Sequence, residues 1–301
     1  MKLAFYYPWY GNPEYSNRYI HWENVNLHNT RIGNSPNYPV LGPYDSKAKS
    51  VIHTHCKQAQ SCGIHGFIVS WWGQQTNENE VIPPLLKIAH QYGIKICLYY
   101  EQIKGEKKNY VYQLNNDLDY IINNYTSHPA YLHYTGKPML FVYRRPIQQI
   151  GVSIWSTYKD FYLVGDKITH PRAKSFSAIH HYNPISYILS CKTMSDIKKT
   201  LVKAMANTIR LQNTYGLPRI LSVAKGYDDR TERQPGSVVD SRKGKLYKLM
   251  WDTALKYKPD IVLITSWNEW HEKTEIEPSL EEGELYLDIT RSYPFSNHHI
   301  L

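Results

Sequence analysis

Eight short apolar runs, separated by stretches with helical spacing, predict an α/β fold: a single (β/α)8 barrel of the TIM type over residues 1–301. Three observations carry this expectation. The runs are continuously apolar rather than alternating, as strands covered on both faces must be. A chain of 301 residues suits one such barrel, which uses about 250. No GxGxxG follows the first run, which removes the main dinucleotide-binding alternative.

The strand candidates are residues 3–10, 66–72, 95–101, 139–143, 161–165, 176–182, 219–226 and 261–268. Between them, helical spacing covers 47–61 and 78–91, which stop at Cys62–Gly63 and Tyr92–Gly93. It covers 116–125, 194–214 and 243–257 as well, and more weakly 148–158 and 167–174. No linker, low-complexity tract or short repeat interrupts the series, so one domain is expected.

Composition narrows the function classes. The 27 Tyr and 8 Trp against 6 Phe favour rings with a polar edge, suited to wet surfaces and to sugars. The formal charge is +9, but Lys104 to Lys108, Arg144–Arg145, Lys198–Lys199 and Arg242 to Lys248 are short, scattered groups. No basic arm results, so no nucleic-acid partner is expected, whereas the charge suits an anionic glycan. Cys56, Cys62, Cys97 and Cys191 form no CxxC and no zinc-like spacing; with HExxH also lacking, neither metal nor cofactor is expected. No run reaches the roughly 20 apolar residues of a membrane span. The opening residues lack a leader pattern, which as written predicts a cytoplasmic protein, or a secreted or periplasmic one if a leader has been removed.

In a (β/α)8 barrel the active site lies at the C-terminal strand ends. Those ends supply Tyr7, Trp9 and Tyr10; Ser70, Trp71 and Trp72; Glu101; Arg144 and Arg145; His180, His181 and Tyr182; Tyr227, Asp228 and Asp229; and Asn268, Glu269, Trp270, His271 and Glu272. The sharpest pair is Glu269 and Glu272. Three residues apart after the eighth run, they would share one side of a turn, about 5–6 Å apart at Cβ. Paired carboxyls at that range serve retaining glycosidases, and their mutual repulsion raises one pKa enough to supply an acid near neutrality.

The motifs FYYPWYGN, LGPYDS, GFIVSWW, YIINNYTSHPAY, AKGYDDRTER and ITSWNEWHEKTEIEP, in order from Phe5 to Pro278, resemble those of glycoside hydrolase family 99. That family comprises the retaining endo-α-mannosidases and endo-α-mannanases on a (β/α)8 barrel. YYPWYG is also shared by a looser group of polysaccharide-biosynthesis barrel proteins. The resemblance implies that Glu269 deprotonates the substrate 2-hydroxyl and that Glu272 acts as general acid and then base. It implies substrate binding by Glu101, aromatic subsites at Tyr7, Trp71, Trp72 and Tyr182, and a loop His–Trp pair at His21 and Trp22.

This chain departs from the family where Tyr143–Arg144–Arg145 replaces an acidic strand end and Glu101–Gln102–Ile103 replaces Glu-Pro-Tyr. HHYN stands for an aromatic YTYF, residues 232–235 for Arg-Pro-Trp, and Lys273 for glycine. The expected function is therefore a retaining endo-α-glycosidase on an oligo- or polysaccharide, with the chemistry better supported than mannose specificity. The rivals are a biosynthetic barrel that transfers or trims sugars and a carbohydrate-binding protein without turnover. Arg144 and Arg145 add the expectation that an anionic sugar is tolerated.

Overall fold

The computed structural model describes residues 1–169 and 171–295. Eight strands run parallel: β1 (Lys2–Tyr6), β2 (Gly66–Trp71), β3 (Lys95–Tyr100), β4 (Lys137–Val142), β5 (Tyr162–Asp166), β6 (Ala178–His180), β7 (Ile220–Ala224) and β8 (Ile261–Thr265). Their hydrogen-bonded order is β6-β5-β4-β3-β2-β1-β8-β7, the (β/α)8 barrel order; among the described residues, β6 and β7 share no backbone ladder. A side chain closes that seam. Gln212, fully buried, donates from Nε2 to the carbonyls of Ile179 (3.2 Å) and Ile220 (2.9 Å) and accepts from the Ile220 N–H (3.3 Å). Nearer the mouth, the Ser222 hydroxyl donates to the His181 carbonyl and that of Thr265 to the Tyr182 carbonyl.

Strand alternation sorts the apolar residues into two cores. Leu3, Phe5, Ile68, Cys97, Tyr99, Phe141, Val164 and Leu263 fill the barrel. Ala4, Tyr6, Val69, Trp71, Leu98, Tyr100, Val142 and Ile264 face the helices. The helix layer is α1 (Lys49–Ser61), α2 (Asn77–Gln91), α3 (Tyr110–Ile121), α4 (Arg144–Ile150), α5 (Met194–Thr214), α6 (Lys245–Leu255) and α7 (Leu285–Arg291). Gly63 and Gly93, with φ of 70° and 67°, stop α1 and α2 in the left-handed conformation that a side chain disfavours.

Two helices begin earlier than their spacing suggests. α3 opens at Tyr110, and α4 at Arg144, directly after β4. The helix expected over 167–174 is replaced by a short 3-10 turn at Arg172–Ser175; residue 170 lies outside the described residues. Among the described residues no helix is long and apolar enough to cross a membrane.

Candidate active site

The C-terminal strand ends enclose a cavity of about 270 Å³. Glu101, Glu269 and Glu272 line it together with Tyr7, Trp9, Trp72, Tyr182 and His271, all expected at the mouth. Two roomier clefts, about 630 and 740 Å³, lie elsewhere, one between β6 and α5 and one beside α3, and neither contains the carboxyl pair.

The residues after β8 fold into a closed excursion. Ser266 holds Thr274 through backbone and hydroxyl bonds, and the Ser266 Oγ accepts the Glu269 N–H at 2.8 Å. Between these anchors Trp270–Glu272 make one 3-10 turn with Glu269 at its N-terminal cap, accepting the His271 N–H. At three residues per turn, positions three apart eclipse, so Glu269 and Glu272 come out on one side, into the same cavity. Asn268 fixes the whole turn to β1: its amide exchanges two hydrogen bonds with the backbone of Tyr7, at 2.7 and 3.0 Å.

The two carboxyls have different surroundings. Glu269 Oε1 faces His271 Nδ1 at 3.2 Å, while His271 Nε2 meets the His21 carbonyl at 2.7 Å. Both ring nitrogens thus point at acceptors, which only the doubly protonated imidazolium satisfies. Burial opposes that charge, but the hydrogen bond and charge of Glu269 outweigh it and push the His271 pKa up to about 9. Glu272 is raised to about 7 by burial and then by repulsion from Glu269, against the lowering pull of Arg233 and Tyr227. Arg233 reaches its Oε1 with two nitrogens at 3.1 Å, and the Tyr227 hydroxyl lies at 3.3 Å. Asp229 in turn holds Arg233 and the Tyr227 hydroxyl.

On the facing wall, Glu101 accepts from Ser70 Oγ at 2.9 Å, and Ser70 accepts from the Trp72 indole at 2.9 Å. Burial raises the Glu101 carboxyl to about 8, less the lowering by Ser70 and Arg145. The Arg145 guanidinium sits over the Trp72 ring, 5.3 Å from its centroid, and donates to Gln102 at 3.0 Å. The hydroxyls of Tyr7 and Tyr182 meet across the cavity. Trp9 stacks on His21 at 4.8 Å, and His21 itself stays outside the lining.

Several residues expected at the mouth stand behind it. Trp71 is one position out of phase with Ser70 and Trp72, so it faces the helix layer, fully buried and bonded to Asn79. That corrects the placement of both tryptophans in the cavity: one strand cannot turn adjacent side chains to the same face. Tyr10 and Trp22 stack on each other at 4.0 Å beneath the loop after β1, and Trp270 packs below with its indole toward Tyr44 and Glu277. Asn268 supports the backbone, Tyr227 supports Glu272, and Asp228 pairs outward with Arg230 at 2.7 Å. Among the described residues no group of three His, Cys, Asp or Glu side chains is placed to hold a metal ion.

Four lining residues escaped the candidate list: Tyr99, Tyr143, Glu232 and Arg233. Tyr99 was legible, being two residues before Glu101 and hence on its face. Glu232 and Arg233 come from the loop after β7, where strand parity gives no guide.

A parallel eight-stranded barrel with paired carboxyls in its C-terminal cavity is an arrangement that glycoside hydrolases use. The model of glycosyl hydrolase family 99 matches residues 1–159 and 199–293. The glycoprotein endo-alpha-1,2-mannosidase of Xenopus laevis is 32% identical over 96% of this chain and 75% of its own length. That of Mus musculus is 31% identical over 97% of the chain and 71% of its own. The family 99 endo-alpha-mannosidase of Bacteroides thetaiotaomicron shares the fold at a TM-score of 0.79, covering 97% of this chain and 95% of that one with 24% identity. The chain belongs to glycosyl hydrolase family 99.

Proposed function

We propose that this protein is a retaining endo-α-mannosidase that cleaves inside a mannose-containing glycan, with Glu269 as base and Glu272 as acid. In the first step the Glu269 carboxylate takes the proton of the substrate 2-hydroxyl, and that oxygen attacks C1. The bond from C1 to the leaving oxygen breaks as Glu272 protonates the oxygen, leaving a 1,2-anhydro sugar. In the second step the Glu272 carboxylate takes a proton from water, whose oxygen opens the ring at C1, and the 2-oxygen recovers its proton from Glu269. Two inversions give net retention.

The observation that carries this reading is the division of charge in one cavity. Burial and Glu269 raise Glu272 to about 7, so it is available as an acid near neutrality, while Glu269 keeps its charge partner in the His271 imidazolium. Mannose as the sugar is supported by the relatives, two of them endo-alpha-1,2-mannosidases. Arg145 at the rim, stacked on Trp72 without a carboxylate partner among the described ion pairs, supports tolerance of an anionic substituent there. Incubation with α-1,2-linked mannose oligosaccharides, followed by NMR of the nascent reducing end, tests the reading. The α anomer should appear first from an internal cut. A β-first product rules out retention, and intact oligosaccharides rule out the mannoside.

A further inference from the structure

One acid of the cavity is not committed to the protein. Glu101 is held by Ser70, Glu269 by His271 and Glu272 by Arg233. Glu232 also lines the cavity, but it is exposed, and its carboxylate makes no ion pair or side-chain hydrogen bond among the described residues. Its backbone, by contrast, is fixed. The Asp229 carbonyl accepts the N–H groups of Glu232 at 3.0 Å and Arg233 at 2.8 Å, and Asp229 Oδ1 accepts the Ser237 N–H at 2.6 Å. Tyr227–Asp228 pair with Val238–Val239 across the same turn, and the Thr231 hydroxyl donates to the Asn34 carbonyl. A fixed turn thus presents a free acid to the cavity.

The place of Glu232 says which part of a glycan it meets. Arg233, the next residue, holds Glu272, the acid of the proposed reaction. A general acid stands beside the leaving oxygen, so the sugar that departs with that oxygen lies on the side of Glu272 and Arg233. The charge of Glu232 also reaches His271, on the turn after β8. Arg145 belongs to the other wall, over the Trp72 ring. A carboxylate only accepts, and two neighbouring sugar hydroxyls can each donate to one of its oxygens. A carboxylate or sulfate on that sugar would face a like charge. A cationic sugar would meet Arg233 and His271, which already answer the acids on this side.

We propose that Glu232 determines specificity on the leaving-group side: its carboxylate accepts hydroxyls of a neutral sugar there and excludes an anionic one. The proposal rests on the mannosidase reading, which says which side leaves. Glu232→Ala and Glu232→Gln test it against the wild type on three substrates that share the sugars before the scissile bond. One is an α-1,2-linked mannose oligosaccharide, one an aryl glycoside with no sugar on the leaving side, and one an oligosaccharide with a uronic acid there. The side chain is exposed, so Tm should not change in either variant. Glu232→Ala should lose about tenfold or more in kcat/KM on the neutral oligosaccharide, several times its loss on the aryl glycoside. The wild type should prefer the neutral oligosaccharide to the uronate, and Glu232→Gln should narrow that preference about tenfold. Equal losses on the oligosaccharide and the aryl glycoside overturn the proposal, since Glu232 then acts through the catalytic charges. A preference that Glu232→Gln leaves intact overturns it too, as does a change within about twofold on every substrate, the mark of a solvated surface acid. If the wild type binds the oligosaccharides without cleaving them, the mannosidase reading fails while calorimetric affinities for the same compounds decide Glu232; if it binds none, both fail.

Discussion

At the end of β8 every charged group of the cavity has an answering charge. Glu269 faces His271, Glu272 faces Arg233, and Arg233 is itself shared with Asp229. At the ends of β3, β5 and β6, the Tyr99 hydroxyl, Asp166 Oδ2 and the two His180 ring nitrogens have no hydrogen-bond partner among the described residues. The same contrast holds in the barrel wall. β8 is laddered to both neighbours, whereas β6 and β7 are joined by the Gln212 amide. A side that must set two protonation states needs fixed charges: Glu269 raises His271 against its burial, and Arg233 and Tyr227 restrain the rise that burial and Glu269 impose on Glu272.

The β6–β7 seam gives the largest expected effect on stability. Gln212→Leu keeps the approximate volume but strips three buried backbone groups of their partners, at about 1–3 kcal/mol each. A loss of roughly 3 kcal/mol or more in chemical denaturation is expected. An unchanged midpoint would mean that packing alone holds the seam, and the contrast between the two walls would fail there.

Arg233 sharpens the other half of the comparison with a smaller effect. Glu272 must carry its proton to act as an acid, so activity should decline as pH rises through about 7. Arg233 lowers the Glu272 pKa by its charge and hydrogen bonds. Arg233→Gln removes that pull, so the alkaline limb of the rate profile should move to higher pH. A limb that stays in place, or moves down, shows that Arg233 does not set the protonation of Glu272.

Most of the barrel was legible because buried parallel strands are continuous apolar runs: IVLIT and ILSVA are buried at every position. The Glu269–Glu272 turn was legible because it follows such a run immediately. Period-two alternation was available but unused in two places: it turns Trp71 away from the cavity and Tyr99 into it. Other features had no local signal. The loop carrying Glu232 and Arg233 is shaped by the pairing of Tyr227–Asp228 with Val238–Val239 and by Asp229 capping Ser237, contacts that cross the loop. Glu277 reads as another acid of the motif, yet it is held as a structural anchor by Tyr44 and His55, from distant elements, and by Trp270 of its own segment. The barrel closure through Gln212 depends on where a helix lands against two strands, which no window of sequence contains.

The central claim is that Glu272 gives up a proton to the leaving oxygen while Glu269 activates the neighbouring hydroxyl, and leaving-group dependence tests it most directly. Turnover of Glu269→Gln and Glu272→Gln should be measured with a natural α-mannoside and with an aryl mannoside whose phenolate departs without protonation. Removing a general acid or base costs about 10²–10⁴ in rate. For Glu272→Gln that loss should appear with the natural substrate and shrink with the activated one. For Glu269→Gln it should persist with both, since no leaving group replaces the missing base. Equal losses for Glu272→Gln on the two substrates, or near wild-type turnover in either variant, would contradict the assignment of acid and base to this pair.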